Sequence, residues 1–134
     1  MHARYSAHGF DLQVLYAAGT LGDADRINAA ILANAAEPFA APKSLRGWYA
    51  QAAYHLYRNG DLDLAPFARV ERFDIRQQED PANGLFQDPK NLERIITAGF
   101  NFNLNPQVVI KSDVQRYSTD SSRNRFDLGL GYMF

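Results

Sequence analysis

The sequence predicts an all-β fold: an antiparallel transmembrane β-barrel, built as a meander of about six strands with one loop helix. Three observations predict it. Apolar residues recur with period two in segments of about nine residues or more, long enough for a tilted strand to cross a bilayer. The connections alternate between tight turns and long polar stretches. The final nine residues, ending at Phe134, form one strongly alternating segment.

Each segment has an apolar and a polar phase. In the first, Phe10 to Ala18, the even positions are apolar and Asp11 and Gln13 lie between them. The second, Trp48 to Tyr57, puts Trp48, Ala50, Ala52, Tyr54 and Leu56 on one face, with Gln51 and His55 on the other. The third runs from Leu62 to about Ile75 and sets Leu62, Leu64, Pro66, Ala68 and Val70 against Asp63, Arg69 and Glu71. The fourth sets Ile96, Ala98, Phe100, Phe102 and Leu104 against Thr97, Gly99, Asn101 and Asn103. The fifth sets Val108, Ile110 and Val114 against Lys111, Asp113 and Gln115. In the sixth, Phe126, Leu128, Leu130, Tyr132 and Phe134 oppose Asp127, Gly129 and Gly131.

The connections follow the same logic. Arg58-Asn59-Gly60-Asp61 carries an Asn-Gly type I′ hairpin signal, and Leu104-Asn105-Pro106 reads as a second tight turn. By contrast, Gly19 to about Arg46 and Gln77 to about Lys90 are long, and Ser118 to Arg125 is of middling length. The one helical pattern runs from Asp23, a candidate N-cap, to Ala35, with Ile27, Ala30 and Ile31 on a shared face and Pro38 and Pro42 closing it off. Such a helix would lie on the barrel rim or fold into the lumen. Residues 1–5 and the surrounding N-terminus are expected to fray.

Composition excludes several function classes. The formal net charge is -1 and no basic run appears, so nucleic acid is not an expected partner. There is no cysteine, which removes disulfides and thiolate metal sites. His2, His8 and His55 match no ligand spacing, so no metal or other cofactor is expected. Ser6, Ser112 and Ser118 have no base and orienting partner at a telling spacing, so no enzyme is expected. No stretch approaches the roughly 18 apolar residues of a membrane helix.

Alternation alone also fits a soluble barrel that buries its apolar face around a core or an apolar ligand. Two features favour the outward arrangement. The polar phases mix opposite charges with amides and glycines, as a wet lumen requires, and aromatics of the apolar phases lie near segment ends, as at a membrane interface. The expected lipid-facing residues are then Trp48, Tyr54, Phe100, Phe102, Ile110, Leu128, Leu130 and Tyr132. The expected pore-lining residues are Gln51, His55, Arg69, Glu71, Asn101, Lys111, Asp113, Gln115 and Asp127, with Arg69 and Lys111 salt-bridged to neighbouring carboxylates.

The ending Phe126-Asp127-Leu128-Gly129-Leu130-Gly131-Tyr132-Met133-Phe134 resembles the C-terminal insertion signal of bacterial outer-membrane proteins, with Phe126, Leu128, Leu130, Tyr132 and Phe134 as the matching positions. The resemblance implies the barrel-assembly machinery as a partner. More broadly, residues 47–134 resemble the C-terminal part of porins related to the phosphate-selective porin O/P family. The resemblance rests on Gly47-Trp48-Tyr49-Ala50-Gln51-Ala52-Ala53-Tyr54, Pro66-Phe67-Ala68-Arg69-Val70-Glu71-Arg72-Phe73-Asp74, Val108-Val109-Ile110-Lys111-Ser112-Asp113-Val114-Gln115 and the ending itself. It implies a large, often trimeric barrel in outer-membrane lipid that passes small solutes. No arginine ladder is present, so phosphate selectivity is not carried over.

Six strands are too few to close a barrel, since single-chain ones begin at about 8. Residues 1–134 are therefore expected to be one domain, the C-terminal strand set of a longer protein, the alternative being that copies of the chain assemble. The lack of a signal-peptide pattern at Met1-His2-Ala3-Arg4-Tyr5 points the same way. The expected function is passive diffusion of small hydrophilic solutes or ions through an outer-membrane channel. The alternatives are a non-conducting barrel acting as anchor or adhesin, and a soluble β-barrel binding an apolar ligand.

Overall fold

The computed structural model describes residues 1–34, 40–77, 81–86, 88 and 91–133. Eight strands form one sheet: β1 (His2–Ala7), β2 (Phe10–Thr20), β3 (Pro42–Tyr54), β4 (Tyr57–Asn59), β5 (Leu62–Gln77), β6 (Leu92–Asn105), β7 (Val108–Tyr117) and β8 (Arg125–Tyr132). Every pairing is antiparallel, in the order β1-β2-β3-β5-β6-β7-β8, with β4 also on β5. The class is all-β and the topology a meander. The sheet is not closed: β1 and β8 are its edges.

The count exceeds the expected six for two local reasons. The N-terminus is a strand, not a frayed tail. Its reversal is a two-residue His8-Gly9 loop between the paired Ala7 and Phe10, with positive φ at both residues (51° and 83°), the type I′ pattern. β4 arises because the chain carries an extra residue at His55-Leu56, where the His55 N–H donates to Gly9 O and the Leu56 N–H to Leu64 O. This bulge shifts the phase by one, so Tyr57, not Leu56, pairs with Leu64. The turn that follows has Gly60-Asp61 at its centre, with positive φ at Gly60 alone (57°), which is the type II′ pattern instead of the expected type I′. At residues 105–108 the Gln107 N–H donates to Asn105 Oδ1 (2.9 Å), the turn-forming habit of asparagine.

All three tight turns lie at one end of the sheet and the three longer connections at the other. The strands reach further into the longer connections than the sequence pattern suggested, which leaves Trp48 in the middle of β3. β8 spans 8 residues, slightly under the expected length, although the Met133 N–H still donates to Gln107 O. Phe134 lies outside the described residues, as does Pro38.

The helix α1 (Ala24–Asn34) forms where expected, but its buried face differs. Ala24 and Asn28 are buried, whereas Ile27 and Ala30 are exposed. Asn28 Oδ1 accepts from the Ala41 N–H (2.6 Å), so a buried amide ties the helix to the chain entering β3. A satisfied polar contact there outranks the apolar stripe.

Candidate functional site: the charged face of the sheet

Strand pairing sorts the side chains into two faces. One carries Phe10, Leu12, Val14 and Tyr16 of β2 beside Tyr54, Ala52, Ala50 and Trp48 of β3. It continues through Pro66, Ala68 and Val70 of β5, Phe100, Ala98 and Ile96 of β6, Val114 of β7 and Phe126 of β8. This face covers no core. Trp48, Tyr54 and Phe100 are each 41% exposed, and Leu128, Leu130 and Tyr132 are 69%, 73% and 62% exposed. Phe102 and Ile110, paired with each other on the same face, are half-buried. Among the described residues the fully buried apolar side chains are Ala24, Ala40, Ala41, Ala65 and Leu85, far too little to serve as an ordinary sheet core.

The other face is the more enclosed one, and it is charged. Register sets Gln51 opposite Arg69, Arg69 opposite Thr97, and Thr97 opposite Gln115, giving a polar row across four strands. The neighbouring row sets Phe67 opposite Gly99, Gly99 opposite Asp113, and Asp113 opposite Asp127. These rows enclose a cavity of about 230 Å³ lined by Gln51, Phe67, Arg69, Thr97, Asn101, Lys111, Asp113 and Gln115. Six of the nine residues expected to line a pore therefore meet in one place. Gly99 is required there, because a Cβ would fall 2.2 Å from Ser112 O and 2.6 Å from Asp113 Cβ.

Most charges of this wall are paired. Arg69 bonds Glu71 (2.9 Å) and stands over the Tyr49 ring (5.7 Å). Gln115 Nε2 donates to both Asp113 and Asp127 (3.1 Å each), and Arg125 holds Asp127 (2.9 Å). The expected Lys111 ion pair is not formed. No carboxylate of the described residues lies within 4.0 Å of its ammonium, since Asp113, two positions along β7, is engaged by Gln115 instead. Lys111 is exposed and is the unpaired cation of the cavity.

His55 stands apart from the cavity. It bonds Asp63 (2.7 Å) near the tight-turn end, where Arg58 also approaches Asp63 (3.6 Å). Asp127 lies outside the cavity lining, opposite Asp113 on the edge strand, where Gln115 and Arg125 bond it.

Three cavity or wall residues escaped the sequence reading: Thr97, Phe67 and Tyr49. Thr97 is 2% exposed, and its Oγ1, like Arg69 Nε, has no hydrogen-bond partner among the described residues. The phase of Thr97 was visible in the sequence. Its place between Arg69 and Gln115 depends on register, which alternation does not encode.

No family model matches the chain, and no solved structure matches it. It is similar to an uncharacterized protein of Aquifex aeolicus (strain VF5), with 24% identity over 141 residues that take in 99% of this chain and 32% of that protein. The chain spans about a third of the length of this curated relative.

Proposed function

We propose that this chain is a strand set of an outer-membrane β-barrel that passes small hydrophilic solutes or ions through a water-filled lumen, with the apolar face against lipid. One observation carries the reading: every strand shows exposed side chains on the apolar face, which covers no core among the described residues, while the charged face is the more enclosed one. A soluble barrel has the opposite polarity, because burying apolar area is what stabilises it. The apolar run of β6, Ile96 to Leu104, rises roughly 27 Å along the strand, or about 20 Å once tilted by about 40°, close to the band height of outer-membrane barrels.

Two further features agree. Thr97 Oγ1 and Arg69 Nε, unpartnered among the described residues, suit a wall that water can reach, since water can serve as their partner at little cost. The bare backbone edges of β1 and β8 would each lose several kcal/mol per unpaired group in hydrocarbon, so further strands must close the barrel. A relative three times as long has room for them. Insertion would use the C-terminal signal, Phe126 to Phe134, through the barrel-assembly machinery, and the family resemblance allows a homo-trimer of the full-length protein. No step of this function needs a bound metal or cofactor.

The test is conductance of the full-length protein in planar bilayers. Discrete ohmic steps support a channel, whereas insertion without conductance supports a closed anchor whose lumen charges are paired off. Refolding without detergent into a soluble monomer overturns the membrane reading altogether.

A further inference from the structure

We propose that Arg72, Arg94 and Arg116 form an outward-facing binding site for the phosphate groups of lipid headgroups, at the end of the sheet that carries the long connections. The inference rests on the membrane reading above and adds a ligand to it.

The three arginines lie on successive strands, and all have the phase of the apolar face. Arg72 of β5 stands directly opposite Arg94 of β6, and Arg116 of β7 pairs with Ile96, one step diagonal to Arg94. All three are exposed. Among the described residues, no carboxylate lies within 4.0 Å of any of them. Like charges directly opposite across a strand pair are destabilising unless something of opposite sign joins them. The same face balances charge where it can: Arg46, opposite Asp74, binds it at 2.7 Å, and Arg76 approaches that carboxylate at 3.5 Å. The uncompensated trio is therefore a feature of its own.

Position supplies the ligand class. Tyr16, Trp48, Arg72 and Arg94 occupy one register row, so the arginines sit where amphipathic rings end the apolar face. The next row outward on this face holds Ala18, the ion-paired Arg46 and Asp74, and Leu92, and below the arginine row come Val14, Ala50, Val70 and Ile96. In a membrane that boundary is the headgroup level. The distribution is also one-sided. Arg46, Arg72, Arg76, Arg94 and Arg116 all lie at the long-connection end, while the described cations of the tight-turn end, Arg4, Arg58 and Lys111, have the phase of the charged face. A surface cavity of about 320 Å³ opens between Arg72, Leu92, Arg94 and Ser118. Glu93 borders it, but its Oε1 is held by the N–H groups of Ser118 and Thr119 (2.9 Å each) and it has the opposite phase. Guanidinium groups bind phosphate oxygens in forked pairs, so two opposed arginines and a third on the diagonal can grip one or two lipid phosphates.

The test uses the full-length protein in detergent micelles and a fluorescent phosphatidic acid, with phosphatidylcholine and inorganic phosphate as comparators. Phosphatidic acid should bind at least about tenfold more tightly than phosphatidylcholine, and millimolar inorganic phosphate should not displace it. The triple change Arg72→Gln, Arg94→Gln and Arg116→Gln should abolish the preference, and Arg58→Gln at the other end should leave it intact. A preference that survives the triple change overturns the proposal, as does displacement by inorganic phosphate, which would mark a free-anion site. Bilayer conductance of the same preparations separates the two readings. A variant that conducts but has no lipid preference supports the site, wild-type protein that conducts without preference overturns the site alone, and protein that stays soluble without detergent overturns both.

Discussion

In the proposed channel, inverting the charge at Lys111 should shift the ion selectivity, by an amount that geometry and screening together set. Lys111 is exposed in the charged cavity and unpaired among the described residues, whereas Arg69, Asp113 and Asp127 are all engaged by neighbours. Its field is therefore the least compensated of the wall. For an ion passing at about 8 Å, one elementary charge in water contributes roughly 0.5 kcal/mol, so Lys111→Glu changes the interaction by about 1 kcal/mol. A Debye length of about 10 Å at 0.1 M salt leaves a little under half of that. Cations gain this energy and anions lose it, so the cation-to-anion permeability ratio should rise by about fivefold. At 1 M salt, with a Debye length of about 3 Å, the change should fall below about 1.5-fold. Reversal potentials of the full-length protein under a salt gradient measure the ratio directly. An unchanged ratio at low salt would refute the placement of Lys111 on the pore wall. A shift that persists undiminished at 1 M would refute the screening argument.

Other perturbations read different parts of the account. Leu128→Arg puts a cation on the most exposed apolar strand and should cost about 2–4 kcal/mol in a bilayer, seen as a lower urea midpoint in lipid vesicles; an unchanged midpoint would argue against lipid contact there. Gly99→Ala forces a Cβ into Ser112 O and Asp113, so β6 and β7 must part, and folded barrel recovered from refolding should drop sharply; full recovery would mean that the close approach is absent. Glu93→Ala removes an acceptor that is 1% exposed and takes bonds from Ser118 and Thr119. The Ser118 N–H keeps Arg94 O, but the Ser118 hydroxyl and the Thr119 N–H lose their acceptor, which should cost about 1 kcal/mol and speed proteolysis within residues 118–124; an unaltered cleavage rate would contradict that role.

Much of this architecture is written in the period-two pattern, because a strand in a one-sided sheet cannot hide which residues share a face. The phase assignments of Trp48, Phe100, Ile110 and Leu128 on one side, and of Gln51, Arg69, Asp113 and Gln115 on the other, follow from alternation alone. The misses have local causes. β1 is short and is followed by His8-Gly9, a reversal without the Asn-Gly or Asp-Gly pair that marks most type I′ turns, so its turn signal is weak. The phase slip at His55-Leu56 is a bulge, which leaves no mark in a hydrophobicity pattern.

The candidate site was legible as a list of residues but not as a place. Which polar residues meet, that Thr97 sits among them, and that Lys111 stays unpaired are all consequences of how five strands align. The arginine trio was likewise invisible, because Arg72, Arg94 and Arg116 lie 22 residues apart in turn and only register makes them neighbours. In the helix, Asn28 overrode the apolar stripe through its bond to Ala41, a contact with no signature in α1 itself.

The orientation of the two faces underlies every one of these expectations, and since residues 1–134 hold no cysteine, it is directly measurable once any cysteine elsewhere in the full-length protein is replaced by serine. Single cysteines at Ala98, Phe100, Val114 and Leu128, and at Asn101, Lys111 and Gln115, can be labelled with a bimane fluorophore in the full-length protein reconstituted in vesicles. Brominated lipid should quench the first set strongly and the second weakly, with aqueous iodide giving the reverse. Equal access of iodide to both sets, or lipid quenching at Lys111 with none at Leu128, would contradict the account.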